Sequence, residues 1–322
     1  MNETEYISAD TLRKTSKKAM ASAEVREDII KPVVEGLVWT SLRGIDSHGI
    51  RLLPHYIAGV KGGRINPDPA MAFEQTAPAT GLVDADHTFG HAAGMKAITH
   101  AIELAKEAGM GAVGVKNSSH CGAMSWFAHE AVKQKMIGLA FTHATPRVKS
   151  PGSNRAFFGN NPICMVAPMQ GEDPFCFDAA TTSITFNAVK AAAAEGKELS
   201  SGLVADAQGY ETTDPNLAEQ LLPIGDYKGF GLSMMVDILC AMLTGMPAGN
   251  DVSKMFGESM AKKRKLGHFF CAINIATFTE PDEFAAILKQ KAEAVRAEPT
   301  LEPERPVKVP GDPEKKAWEE RL

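Results

Sequence analysis

Between residues 8 and 42, the apolar positions Leu12, Met20, Ile29, Val33 and Leu37 recur near the 3.6-residue period of an amphipathic helix. Ser8-Ala9-Asp10 supplies capping side chains ahead of them, so two N-terminal helices are predicted. Gly62-Gly63-Arg64-Ile65-Asn66-Pro67-Asp68-Pro69 breaks that pattern, and residues 81–86 then read as a strand leaving a turn. An Ala-rich amphipathic stretch predicts a helix over 94–108, ended by Gly109. A strand over 112–115 follows and runs into Asn117-Ser118-Ser119-His120. Further on, the spacing predicts a helix over 123–135, a strand over 136–142, strands over 163–167, 174–178 and 269–275, and a long apolar helix over 229–244. From Glu298 onward, repeated Glu, Pro and Lys predict an extended C-terminal arm, and no internal repeat is present.

Gly109-Met110-Gly111-Ala112-Val113-Gly114 has the Gly-x-Gly-x-x-Gly spacing of a dinucleotide fingerprint, but its context is reversed. That fingerprint works where a strand runs into the glycines and a helix starts there, so that the helix N-terminus meets the pyrophosphate. Here a helix precedes and a strand follows, which reads as a helix C-cap and disfavours a Rossmann unit at this position.

With 322 residues, 44% hydrophobic and 23% charged, the chain can bury a large core in one elaborate domain or two lobes. The net charge of -5 disfavours nucleic-acid binding. The basic run Lys262-Lys263-Arg264-Lys265 lies between acidic stretches and reads as a solvated helix end or loop rather than a phosphate patch. The five cysteines, Cys121, Cys164, Cys176, Cys240 and Cys271, are odd in number and widely spaced, which suggests free thiols in a reducing compartment. No Cys-x-x-Cys pair offers a zinc site. The polar start Met1-Asn2-Glu3-Thr4-Glu5 and the lack of a long apolar run lead to the expectation of a cytoplasmic protein without a membrane partner.

The stretch Ser47-His48-Gly49-Ile50-Arg51-Leu52-Leu53-Pro54-His55-Tyr56 concentrates acid–base and anion-binding groups. Histidine both gives and takes a proton near neutral pH, and the flanking glycine admits a ligand close to the backbone. Ser118-Ser119-His120-Cys121-Gly122-Ala123 sets a second histidine at a strand end and helix start, as an N-cap or as a site. Phe177-Asp178-Ala179-Ala180-Thr181-Thr182 places a carboxylate and hydroxyls after an apolar strand. Lys228-Gly229-Phe230-Gly231 opens a helix in a way that suits a phosphate or a plain helix start. Ser150-Pro151-Gly152-Ser153-Asn154 and Phe158-Gly159-Asn160-Asn161-Pro162 read first as loop geometry.

Taken in order, these clusters resemble the malate/L-lactate dehydrogenase family of non-Rossmann NAD(P)-dependent oxidoreductases, over about residues 8 to 315. The resemblance is carried by Ser47-His48-Gly49 with Pro54 and Tyr56, Gly63 with Asn66-Pro67, and Ser119-His120-x-Gly122 with Ser125. It continues through Gly159-x-Asn161-Pro162, Phe177-Asp178-x-Ala180-Thr181, Thr213-Asp214-Pro215, Lys228-Gly229-x-Gly231 and Pro310-Gly311. It implies a mixed α/β fold, with a cofactor domain (76–279) on a largely antiparallel sheet with flanking helices. A helical lobe drawn from both chain ends (1–75 and 280–322) would complete it, usually in a homodimer. The implied activity is hydride transfer between NAD(P)H and the 2-carbon of a small 2-oxo or 2-hydroxy acid, or of a cyclic imine carboxylate, with no metal.

In that scheme His48 would exchange the proton on the substrate oxygen. His120 would be a second candidate base or a hydrogen-bond donor at the same carbon, and the residues leave the two roles open. Asp178 would orient the site histidine or contact the nicotinamide ribose. Ser47, Arg51 and Tyr56 would face the substrate. Ser125, Arg147, Gly152, Asn161, Ala179, Ala180, Thr181, Lys228, Gly229 and Gly311 would line the cofactor. The chain departs from the family where the substrate-carboxylate arginine normally stands, five residues after the motif serine: that position is Leu52, and Arg51 sits one earlier. A one-residue shift on a helix turns a side chain by about 100°. Residues 254–265 also lack the histidine that ureidoglycolate-oxidising members offer their substrate. Near the expected ribose, Thr145-Pro146-Arg147-Val148-Lys149 has two cations and no acid, which leans toward the 2′-phosphate of NADP. A Ser/His hydrolase is disfavoured by the lack of a Gly-x-Ser-x-Gly elbow. A ligand-binding relative without catalysis stays in view because of the arginine shift.

Overall fold

The computed structural model describes residues 7–322; the polar start Met1–Glu5 lies outside the described residues. Helices α1 (Ala9–Ala21) and α2 (Glu27–Leu42) form where the apolar periodicity predicts them, and the Ser8 hydroxyl caps α1 by accepting from the Thr11 amide. With α3 (Leu53–Lys61) they enclose a core of Met20, Ile29, Val33, Leu37, Leu52 and Tyr56.

The main sheet begins with β1 (Ala72–Ala77) and β2 (Thr80–Asp84), crosses through α4 (Gly90–Ala108), and continues with β3 (Met110–Ser118). Gly109 ends α4 in the left-handed conformation at φ 81° and hands directly to β3, so the fingerprint spacing is a helix C-cap. Then come α5 (Ser125–Val132) and β4 (Met136–Thr142). A small second sheet opens with β5 (Val148–Lys149) and β6 (Ala156–Phe158), and the main sheet resumes with β7 (Ile163–Ala167) and β8 (Phe175–Ala179). After α6 (Phe186–Glu195), strands β9 (Val204–Ala205), β10 (Glu211–Thr212) and β11 (Gln220–Leu221) complete the small sheet. Helix α7 (Tyr227–Asp237) runs on as a wider π turn over Ile238–Met242, and β12 (Leu266–Asn274) returns to the centre of the main sheet.

The seven-stranded order is β1-β2-β3-β12-β4-β7-β8, with every pair antiparallel except β2–β3. The expected largely antiparallel, non-Rossmann α/β architecture is therefore present. Phe270 on β12 lies opposite Val113 on one side and Ala140 on the other, and packs with Phe127 and the alanine-rich face of α4 in a fully buried core. The second sheet, ordered β10-β9-β11-β5-β6, keeps its own small core of Val189, Val204 and Leu221.

The C-terminal segment corrects the expectation of an extended arm. Helix α8 (Pro281–Arg296) sets Leu288 and Ala292 against Met169 and Phe175, and residues 312–321 fold as α9 (Asp312–Arg321). Asp312 and Glu314 lie in the first turn of α9, with a proline at its start, which favours a helix N-terminus despite the charge-rich composition. Trp318 on α9 joins the core of the N-terminal helices, and the Arg43 guanidinium lies 4.9 Å from the ring centres of both Trp39 and Trp318. All five cysteines are buried free thiols. Among the described residues no helix is long and apolar enough to cross a membrane.

Three histidines are held neutral by burial: His91 and His268 are lowered to about 3, and His129 to about 4. His268 fills the gap between strands, pairing with the hydroxyls of Thr142 (2.7 Å) and Ser118 (2.8 Å). The unfolded chain takes up these protons below the ordinary value of about 6.5, whereas the folded chain does not until far lower. Stability is therefore full above pH 6.5 and is lost as pH falls toward 4, by roughly 1 kcal/mol per pH unit for each such histidine. Urea unfolding midpoints should fall steeply across that window, and a flat profile would contradict the buried neutral assignment.

Candidate active site

Past the end of α2 the chain turns through Ser47-His48-Gly49, and a short 3₁₀ turn over Ile50–Leu52 leads into α3. The Ser41 hydroxyl anchors this turn by accepting from the Ile50 amide at 2.9 Å. That geometry points Tyr56 inward, where it is 1% exposed, and brings His48 against the loop that follows β3. His48 and His120 stack with ring centres 5.6 Å apart and planes at 23°. The Tyr56 hydroxyl lies 2.6 Å from His120 Nδ1, and Ser47 Oγ lies 2.8 Å from His48 Nδ1.

The backbone fixes which nitrogen of His120 carries its proton. The Gly122 amide donates to Nδ1 at 3.4 Å, and a backbone N–H has only a proton to give. Nδ1 is therefore the acceptor, Tyr56 donates to it as well, and neutral His120 presents Nε2–H. Burial holds the Tyr56 hydroxyl well above its usual range, which keeps it a donor. His120 is held well below its usual value by burial and then by His48, His91 and Arg264. His48 is lowered by burial and then by Arg51. Gly122 is required here, because at φ +75° a Cβ would stand 2.6 Å from Nε2 of His91, which is itself buried beneath Tyr56 with both ring nitrogens unpartnered.

Leu52 turns into the helical core, whereas Arg51 points outward, exposed, and makes no ion pair or hydrogen bond among the described residues. The interior holds a different arginine. Arg264, which the basic run assigned to solvent, is only 5% exposed. Its Nη2 donates to Thr145 Oγ1 at 3.3 Å, while Nε and Nη1 have no acceptor. Nearby Arg64, also buried, donates to the carbonyls of Met255, Glu258 and Ser259 and so pins the segment between α7 and β12. His55 packs against Phe256 of that segment, ring centres 4.7 Å apart and planes tilted at 55°. Arg64 and Arg264 are the buried cations that charge patterning missed. The one available signal for Arg264 is its place two residues before an apolar strand.

The remaining candidates fall into two groups. Ser125, Asp178 and Gly311 line one cavity of about 360 Å³ together with Phe177, Val309 and Lys308. The Ser125 amide donates to Asp178 Oδ2 at 2.8 Å; burial raises the Asp178 carboxyl while that bond lowers it. Ala179 ends β8 beside this cavity, and Ala180 leads to Thr181. In the second group the Gly229 amide donates to the Ile224 carbonyl and the Ile224 amide to that of Thr181, which seats the start of α7 and exposed Lys228 on the 181 turn. Arg147 stacks its guanidinium 4.1 Å from the Phe186 ring centre.

Two residues lie apart from open space or from both groups. Asn161 is fully buried, accepting from the Ala144 amide and donating to the Ser233 carbonyl and Asp237, so its side chain braces the interior. Gly152 sits in an exposed turn with open space around it.

The sequence profile of the malate/L-lactate dehydrogenase family matches residues 7–322. The chain is 32% identical over 291 residues to ureidoglycolate dehydrogenase (NAD+) of Escherichia coli strain K12, covering 90% of this chain and 83% of that protein. It is 34% identical over 280 residues to malate dehydrogenase of Pyrococcus abyssi, covering 84% and 76%. The crystal structure of sulfolactate dehydrogenase from Methanocaldococcus jannaschii superposes with a TM-score of 0.92 at 28% identity, over 98% of this chain and 91% of that one.

Replacing Gly122 with Ala should destabilise the fold by on the order of 2–4 kcal/mol, through left-handed strain plus the collision with His91. Urea denaturation of the variant measures this directly, and a loss below about 1 kcal/mol would mean that the loop relaxes freely.

Proposed function

The chain belongs to the malate/L-lactate dehydrogenase family, and from that premise we propose that it is an NAD(P)-dependent oxidoreductase acting between the 2-oxo and 2-hydroxy forms of a small acid. The observation that carries this reading is the stacked His48–His120 pair, with Tyr56 and the Gly122 amide fixing the His120 tautomer.

His120 presents Nε2–H to the substrate oxygen and polarises it without being charged, because burial and neighbouring cations keep the imidazole neutral. His48 exchanges the proton: neutral, it takes the hydroxyl proton during oxidation, and protonated it returns one during reduction. Ser47 holds the His48 ring through Nδ1. The residues present fit a dinucleotide. A 360 Å³ cavity with a half-buried carboxylate at Asp178 suits a ribose and nicotinamide, and the start of α7 with Lys228 suits phosphates. When bound, the nicotinamide supplies or accepts the hydride at C2.

NADP is the proposed cofactor, supported by Arg147 and Lys149 on β5 and its approach, with no acid between residues 145 and 149. The exposed apolar positions Met235, Ile238 and Met242 lie on one side of α7 and its π turn, which supports a homodimer through that face. The buried, unpaired cysteines support a reducing, cytoplasmic setting.

The test is NADPH- and NADH-dependent reduction of a panel of 2-oxo acids and cyclic imine carboxylates. His48→Asn should lower kcat by about 10³-fold while the thermal shift given by NADPH persists. Because His48 is held below 6.5, oxidation rates should stay flat from pH 8 down past 6.5 and fall only below it, where the base takes up a proton. Arg51→Met should move that acid limb upward. A limb above pH 7 in the unmodified enzyme would remove His48 as the base. Replacing Arg147 and Lys149 together with Ala should weaken NADPH at least 10-fold more than NADH in fluorescence titrations, and equal weakening would reject the phosphate assignment.

A further inference from the structure

Arg264 carries a full charge into the interior with almost nothing to balance it. Of its five N–H groups, one reaches an acceptor, Thr145 Oγ1, and no carboxylate lies within ion-pairing distance among the described residues. Burial lowers the guanidinium to about 10, where Arg64 opposes the charge and Glu258 supports it. An isolated buried cation costs several kcal/mol unless an anion and hydrogen bonds complete it. Nothing within the fold does so. Arg64, by contrast, gives both terminal nitrogens to three carbonyls and so has an evident structural task, although its Nε is unpartnered.

The position of the charge is equally telling. The segment that bears it is held against α3: Arg64 just beyond that helix donates to the Met255 and Ser259 carbonyls, His55 on the helix meets Phe256 at 4.7 Å, and the neighbouring Tyr56 bonds to His120. Position 52, five after the motif serine, is occupied by Leu52 in the helical core and cannot offer a cation.

We propose that Arg264 is the anchor for the substrate's carboxylate, gripping an anionic group placed between its unpartnered donors and the His120–Tyr56 pair. This rests on the dehydrogenase reading above. A carboxylate accepts two parallel N–H bonds from a guanidinium, and the 2-carbon of a 2-oxo acid is bonded directly to that carboxylate. Holding the acid at Arg264 therefore sets the neighbouring oxygen toward His120 Nε2–H.

The test uses the full chain with Arg264→Met, Arg264→Lys and Arg51→Met. Thermal melting is followed alone, with NADPH, and with NADPH plus oxalate, a non-reacting dicarboxylate that mimics a 2-oxo acid. Arg264→Met should melt at or above the temperature of the unmodified protein, since it removes an uncompensated buried charge, and should keep its NADPH shift. The added shift from oxalate should vanish, and KM for whichever of pyruvate, oxaloacetate or 2-oxoglutarate is reduced best should rise at least 100-fold, with Arg264→Lys recovering about 10-fold of that. Arg51→Met should leave the oxalate shift in place.

Loss of the oxalate shift in Arg51→Met but not in Arg264→Met would overturn the assignment, as would an unmodified protein that gains no oxalate shift. A loss of the NADPH shift in both Arg264 variants would also overturn it, making Arg264 a cofactor residue. If oxalate protects through Arg264 while no 2-oxo acid is turned over, the anion site stands and the dehydrogenase reading fails. Should the Met variant not fold, the Lys variant and its oxalate shift decide.

Discussion

The short hydrogen bond from Tyr56 to His120 joins parts of the chain 64 residues apart, and the site's geometry follows from it. Tyr56 belongs to the N-terminal helices and His120 to the loop at the end of β3, so one bond couples the helical layer to the sheet. Because the Gly122 amide shares the same acceptor nitrogen, the ring is locked in both orientation and tautomer. The other ring nitrogen is left to carry the proton. Beneath the pair, His91 is packed so tightly against residue 122 that only glycine fits, and edge-on contacts from His91 and Phe89 hold the Tyr56 ring. The precision of the two histidines is thus set by packing several residues away from either.

Much of this was legible because local pattern and tertiary outcome agree. The amphipathic stretch before Gly109, the glycine in its left-handed cap and the apolar strand after it could be placed from spacing alone, and the same spacing disarmed the false dinucleotide fingerprint. The histidines of Ser47-His48-Gly49 and Ser119-His120-x-Gly122 were visible as residue types in small-residue turns, although their 5.6 Å stacking depends on a fold that brings distant turns together. The second sheet was invisible, since strands of two or three residues such as β9 and β10 are too short for a two-residue alternation to repeat. The helix α9 was hidden by composition: Glu, Pro and Lys read as an arm, yet Asp312 and the proline after it start a helix that Trp318 fastens to the core.

Arg264 shows why charge patterning fails where function requires a local rule to be broken. In a run of four cations the economical expectation is solvation, and Lys262 and Lys265 obey it. Burial of the third member depends on β12 entering the sheet at Leu266, two positions further on, a tertiary fact with no local signature. A buried, largely unsatisfied guanidinium is a destabilising feature that a fold tolerates when something outside the chain completes it.

The segment bearing Arg264 is also tied to the group of residues that would hold phosphates. Asp237, wholly buried at the end of α7, accepts from the Gly249 amide at 2.8 Å and from Asn161 at 3.3 Å, and faces His143 at 3.4 Å. Asn161 in turn grips Ser233 on α7 and the Ala144 amide, and the Ser233 hydroxyl meets that of Thr181. A polar network of this kind is stable only when its members are satisfied together, so it resists partial displacement. Through it the start of the 249–265 segment, the α7 helix that begins with Lys228 and Gly229, and the strand end leading to Thr145 share one rigid frame. Arg64 pins the far part of the same segment to the helical layer. The buried guanidinium, the tautomer-locked histidine and the start of α7 are therefore held at fixed separations by buried polar contacts, which is what hydride transfer between two bound molecules would demand.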